Sequence, residues 1–229
     1  MNEQIESILF IDIETVAASS SYEKLSPRMQ ALWDKKANYL KKNEDDTAEI
    51  MYERAGIYAE FGKIVCISVA YVKNQQIRTK SFYGHEEKTL LQDFASLLSQ
   101  YYSQPHHRLC AHNGKEFDFP YLCRRMLIHQ IKLPSILDVS GKKPWETTFI
   151  DTMDMWRFGD YKNYTSLDLL AALFDMESPK DDIDGSQVNE YYWQHNDLER
   201  IKVYCEKDVT TLVKLYAALK GLPHQLEII

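Results

Sequence analysis

The sequence predicts an α/β fold, a five-stranded mixed sheet flanked by helices, built as one domain over residues 1–229. Three observations carry that expectation. The apolar run Ile8-Leu9-Phe10-Ile11 reads as a strand buried on both faces. Two β-rich segments, 63–72 and 76–83, flank the turn signal Asn74-Gln75 and read as a meander. Beyond them, helical apolar spacing alternates with short strand-like runs, and no repeat, low-complexity tract or linker divides the chain.

The first strand continues from Ile11 into Asp12-Ile13-Glu14, where two acids interrupt the apolar pattern. Residues 17–62 then change character. The stretch from Tyr22 to Phe61 is rich in Lys, Glu, Ala, Met and Tyr and reads as a helical insertion, with Lys41 to Asp46 as its exposed turn. The meander strands follow. Leu90, Leu91, Phe94, Leu97, Leu98 and Tyr101 give 86–102 the apolar face of a helix. Residues 108–112 are a fourth strand, and Pro120 sits in the first turn of a helix running to about His129. Residues 147–151 are the fifth strand. The remainder reads as helical. Thr165-Ser166-Leu167-Asp168 resembles a capping box, a short helix starts at Gly185-Ser186, and a long one spans Asp197 to Leu219.

Composition narrows the function. A formal net charge of −7 argues against a protein that coats duplex DNA through a broad basic surface. The acidic start and the short run from Ile8 to Ile11 lack the basic region and longer apolar core of a secretory signal. No apolar stretch approaches the roughly 20 residues of a membrane span. Cys66, Cys110, Cys123 and Cys205 form no Cys-x-x-Cys pair and sit in apolar or helical contexts, which predicts free thiols in a reducing cytoplasm.

The acids carry the chemistry. Asp12 and Glu14 are two apart on a strand, so both point to one face. Two such carboxylates repel, and a divalent cation with oxygen ligands relieves them. Asp118 falls at a strand–loop–helix junction after the tight turn Asn113-Gly114, where a helix cap and a metal ligand are compatible roles. Tyr204 and Asp208, at i and i+4, share the face of the last helix that also carries Ile201, Leu212 and Leu215.

Jointly, Asp12-x-Glu14, Asn113-x-x-x-Phe117-Asp118 and Tyr204-x-x-x-Asp208 resemble the three motifs of the DEDD exonuclease superfamily in its tyrosine subtype. The histidine subtype needs His five residues before the last Asp, where this chain has Val203. Through Phe10 to Thr15, His112 to Leu122 and Tyr204 to Leu212, the chain looks most like the proofreading exonuclease domain of family B DNA polymerases. It looks more like the stand-alone PolB-like exonucleases still, whose Asp-Gly-Ser segment is similar to Asp184-Gly185-Ser186-Gln187-Val188. The resemblance covers most of the chain outside 17–62; the three motifs together are specific, and each alone is not.

The resemblance implies a ribonuclease H-like fold and a 3′–5′ exonuclease that hydrolyses phosphodiester bonds at the 3′ end of DNA. It implies two divalent ions, Mg²⁺ or Mn²⁺, with Asp12 bridging both, Glu14 and Asp208 on the nucleophile side and Asp118 on the second ion. Tyr204 would orient the attacking water, since a free phenol with a pKa of about 10 is a poor base at neutral pH. The backbone near Thr15 would lie by the terminal 3′-OH, Asn113 on the terminal nucleotide or its phosphate, and Phe117 beside a base, with Lys180 as a candidate phosphate contact. Asp151 and Asp154 read instead as helix-start caps, and Tyr191-Tyr192-Trp193 as core packing. The length leaves no room for a polymerase domain, and the 17–62 insertion is a candidate protein-docking surface or a cover over the site. Two alternatives stay open: an exoribonuclease of the RNase D kind, and a catalytically silent scaffold that binds nucleic acid or a partner.

Overall fold

A computed structural model describes residues 5–178, 182–222 and 226–228. Strand β1 (Ile8–Ala17) is followed by helices α1 (Pro27–Leu40) and α2 (Ala48–Tyr52). Strands β2 (Gly62–Lys73) and β3 (Gln76–Tyr83) lead to α3 (Glu87–Tyr101), β4 (Arg108–Ala111) and α4 (Asp118–Ile128). The chain closes with β5 (Ile150–Asp151), α5 (Thr152–Arg157), α6 (Leu167–Leu173), α7 (Val188–Trp193), α8 (Leu198–Leu219) and β6 (Glu227–Ile228). The sheet runs β5-β4-β1-β2-β3-β6. The meander β1-β2-β3 is antiparallel, while β4 is parallel to β1, β5 to β4 and β6 to β3.

The expected mixed sheet with flanking helices is present, with corrections. Among the described residues the sheet has six strands, not five: Glu227–Ile228 adds a parallel edge to β3. Two residues carry no readable periodicity. The fifth strand is confined to Ile150–Asp151, because β4 ends at Ala111 and Asp151 already serves as the N-cap of α5. Helix α6 is capped by Ser166, whose hydroxyl accepts from Leu169 N–H, while Asp168 accepts from Ser178 instead of closing a capping box. The helix expected from Gly185 starts at Val188, after a turn in which Asp184 accepts from the Ser186 N–H and hydroxyl.

Strand β1 divides the core. Its odd residues Leu9, Ile11 and Ile13 pack with Leu91 and Phe94 of α3 and with Phe119 and Leu122 of α4. Its even residues face α8: Ile8 and Phe10 meet Val209, Leu212 and Tyr216, and Val16 meets Ile201, Tyr204 and Cys205. Asp12 and Glu14 lie on that same even face, between two apolar patches.

The insertion is an elaborated connection between β1 and β2, since Ala17 and Gly62 are paired in register at its base. It has its own small core around Trp33, Tyr52 and Phe61. It sits so close to β1 that a Cβ on Gly56 would come within 2.8 Å of the Val16 backbone carbon. A buried hub clamps the other side. Glu87 accepts from Ile64 N–H (2.7 Å), from Arg125 Nε (2.9 Å) and Nη2 (2.5 Å), and contacts His129 Nε2 at 2.7 Å. Burial works to raise the Glu87 carboxyl, but these partners outweigh it and hold it below the usual carboxylate range. Arg125 also donates to Ala59 O, so β2, α3, α4 and the insertion meet at one point, and the start of α4 is fixed against the sheet.

Candidate active site

The site forms where β1, the start of α4 and the middle of α8 converge. The β1–β2 ladder shifts register between Glu14 and Thr15, from Glu14 opposite Cys66 to Thr15 opposite Ile64, leaving Val65 as the extra residue of a bulge. Bulges re-aim side chains beside functional sites. Glu14 is buried and Asp12 half-buried. From α8, one helical face presents Tyr204, Cys205 and Asp208, all buried. Cys205 Sγ donates to Asp12, lying 3.2 Å from Oδ2 and 3.4 Å from the backbone oxygen. Ligand atoms of Asp12, Glu14 and Cys205 lie within 4.8 Å of one another, a spacing able to hold one cation.

Asp118 is the first residue of α4 and is buried. The N-cap position belongs to Phe117, which makes no side-chain cap, so Asp118 is not the plain N-cap that its place in the sequence allows. Its carboxyl is pushed up to about 7, first by burial and also by the charges of Asp151 and Asp208, against hydrogen bonds from backbone N–H groups. Asp12 is raised well above the carboxylate range by burial, then by Asp208 and Asp118, with the Cys205 thiol pulling it back. Glu14 is raised by burial, then by Asp12 and Asp208. These acids sense each other's charge, so they form one cluster. Such a cluster is relieved by hard divalent cations, and four carboxylates are a donor set suited to them.

Tyr204 lies against the same acids. Burial, then Glu14, Asp208 and Asp12, drive its phenol far above its ordinary pKa, and it hydrogen-bonds Asp208. The phenol therefore stays protonated at neutral pH. Gly185 passes over it: a Cβ there would lie 3.8 Å from Tyr204 Oη. The Asp184–Val188 segment thus belongs to the rim of the site.

The remaining expected contacts divide. Thr15 is half-buried at the bulge and hydrogen-bonds Tyr121, whose hydroxyl donates to Gly56 O at 2.8 Å. Asn113 adopts a left-handed φ of 61°, and its N–H donates to Asp151 Oδ1, while its side-chain Oδ1 is buried without a hydrogen-bond partner. Phe117 is half-buried against Tyr121, with ring centroids 5.4 Å apart. Lys180 lies outside the described residues. Asp151 is a cap, as expected, and more: it accepts from the N–H groups of Asn113, Lys115, Met153 and Asp154, tying the turn after β4 to α5. Asp154 pairs with Lys115 and Arg157. Tyr192 is core, with Tyr191 and Trp193 packed against it.

Sequence reasoning missed two participants. Cys205 had a signal, since it is three residues before Asp208 on the same helical face. His112 is a strut: Nδ1 contacts Thr152 Oγ1 at 2.9 Å and Nε2 contacts Thr165 O at 2.8 Å, contacts across 40 and 53 residues that local pattern does not reveal.

A family model described as RNase_H superfamily matches residues 52–220. That span includes Asp118, Tyr204 and Asp208 and begins after Asp12 and Glu14. No curated protein matches the chain. Among solved structures, the chain is similar to the family B DNA polymerase from the hyperthermophilic archaeon Pyrobaculum calidifontis, at 16% identity and a TM-score of 0.58, over 92% of this chain and 24% of that one. E. coli Exonuclease I in complex with a dT13 oligonucleotide is matched at 10% identity and a TM-score of 0.48, over 93% of this chain and 40% of that one. The chain thus spans only about a quarter of the polymerase, and the likeness is one of fold.

Proposed function

The chain belongs to the RNase H superfamily, and on that footing we propose that it is a metal-dependent 3′–5′ exonuclease hydrolysing phosphodiester bonds at the 3′ end of single-stranded DNA. The observation that carries this reading is the convergence of Asp12 and Glu14 on β1, buried Asp118 at the start of α4, and buried Tyr204 and Asp208 on α8, whose charges act on one another. Two divalent ions, Mg²⁺ or Mn²⁺, held by Asp12, Glu14, Asp118 and Asp208 would supply charge stabilisation at the attacking and leaving oxygens of an in-line displacement.

The chain's own groups do the rest. Tyr204, whose hydroxyl hydrogen-bonds Asp208 and can both donate and accept, is proposed to orient the attacking water. Its bond to Asp208 fixes the ring. Thr15 at the bulge is proposed to meet the terminal 3′-OH through its backbone. Asn113 offers an unpaired acceptor to the terminal nucleotide, and Phe117 one ring edge to its base. Lys180 is proposed as a phosphate contact. The free cysteines are consistent with a cytoplasmic setting, and among the described residues no helix is long and apolar enough to cross a membrane.

The test is an assay on oligonucleotides labelled at either end. Stepwise shortening from the 3′ end of DNA, with matched RNA degraded more slowly, supports the proposal. Preference for RNA moves the chain to the exoribonuclease alternative.

A further inference from the structure

The loop that joins α5 to α6, tied by His112 and by the Arg157–Glu116 pair to the turn that leads to Asp118, exposes three aromatic rings. Phe158 is 90% exposed, Tyr161 74% and Tyr164 66%. Three large rings left in water on one short loop are the kind of exposed apolar surface that marks an interaction site. Phe158 caps α5 with a left-handed φ of 45°, a conformation usually left to glycine or asparagine, so its outward position is held against local preference.

The loop is not loosely placed. His112, the residue before Asn113, grips it through Thr165 O at 2.8 Å and grips α5 through Thr152 Oγ1 at 2.9 Å. Arg157 lies over the Tyr161 ring, 5.8 Å from its centroid, and is itself fixed by Asp154 at 3.2 Å. Tyr164 immediately precedes the Thr165 carbonyl that His112 holds, and burial, then the charges of Asp118, Asp208 and Asp12, raise its phenol. The segment that carries Tyr161 and Tyr164 is therefore anchored to the turn that leads to Asp118.

Charge says what kind of grip this is. At a net charge of −7, the chain as a whole does not attract a polyanion. Affinity for a strand has to come from contacts that ignore that repulsion, and stacking of bases on aromatic rings is such a contact. Resting on the exonuclease reading above, we infer that Phe158, Tyr161 and Tyr164 form a stacking surface for the bases of a single-stranded nucleic acid whose 3′ end enters the acid cluster.

The test uses the full chain carrying Asp208→Asn, so that the strand survives, and fluorescence anisotropy in Mg²⁺. A thymidine dinucleotide, a twelve-residue oligothymidylate and the matching oligouridylate are the probes. Adding Phe158→Ala and Tyr161→Ala is expected to weaken binding of a twelve-residue strand by about tenfold or more and of the dinucleotide by less than about twofold. Phe158→Tyr with Tyr161→Phe is expected to keep the affinity, and melting curves verify folding. The DNA and RNA arms show which sugar the surface takes. Equal losses on both lengths, or none on the long strand, overturn the inference. Degradation of the oligonucleotide by the wild-type chain with unchanged binding in the alanine variant removes the surface and leaves the exonuclease reading intact. Length-dependent binding loss without any degradation does the reverse.

Discussion

At the residue scale, the site is a store of unfavourable charge. Asp118 titrates near 7 in the folded chain against 3.8 as a free group, and Asp12 and Glu14 are raised in the same sense. The folded state therefore holds protons that the unfolded chain has lost, and linkage makes the contribution stabilising below about pH 4 and lost as pH rises through about 7. In EDTA, the melting temperature is expected to fall as pH rises from about 4 to about 7, and millimolar Mg²⁺ or Mn²⁺ to restore most of it by binding the folded state. A flat profile in EDTA would mean that neither burial nor the neighbouring charges raise these acids in the folded chain. Tyr204 gives a second prediction. Tyr204→Phe keeps the ring and removes the hydroxyl, so kcat is expected to drop roughly 10- to 100-fold with KM little changed, as for loss of one positioned hydrogen bond. A pH–rate profile unchanged in shape would accompany it if Tyr204 positions water; loss of a limb would identify it as a base. Strand and helix periodicity put Asp12 with Glu14 and Tyr204 with Asp208 on common faces, so this part of the cluster was legible in the sequence. The Cys205 thiol on Asp12 was not, because it depends on how α8 lies across β1.

At the element scale, three joints fix the site: the Glu87 hub, the Asp151 cap and the seat of the insertion on β1. Glu87→Gln leaves Arg125 buried without its carboxylate and is expected to cost about 3 kcal/mol. The melting temperature would drop by about 6–12 °C, and a drop below about 2 °C would remove Glu87 from this role. Gly56→Ala forces a methyl into the Val16 backbone and is expected to destabilise by about 1–3 kcal/mol, read as a lower urea midpoint. An unchanged midpoint would show that the insertion can lift from β1 without cost. The meander, α3, α4 and α8 were legible because each is long enough to show its period. The bounds of β5 and the start of α7 were not, because Asp151 and Asp184 spend their carboxylates on backbone N–H groups that end one element and begin the next. The two residues of β6 are too few to carry any pattern.

At the scale of the whole molecule, residues far apart in the chain become one site because β1 is central in the sheet and α8 crosses its even face. The chain order of the acids, first on β1, then at the start of α4, then on α8, is the feature that made the site readable before its geometry was known. The aromatic loop was unreadable in the same way, since exposure has no period and His112 reaches it across a long separation. Under the proposed function, net charge and site charge work together: an acidic molecule with an acidic centre would need cations before it could accept a phosphodiester. The central claim is therefore tested most directly by time-resolved digestion of a single-stranded oligonucleotide labelled separately at each end, with Mg²⁺ or Mn²⁺ and with EDTA, in the wild-type chain and Asp208→Ala. The account predicts a ladder shortening one nucleotide at a time from the 3′ end, abolished by EDTA and reduced at least about 10³-fold by Asp208→Ala. Metal-independent cleavage, attack from the 5′ end, or full activity in Asp208→Ala would contradict it.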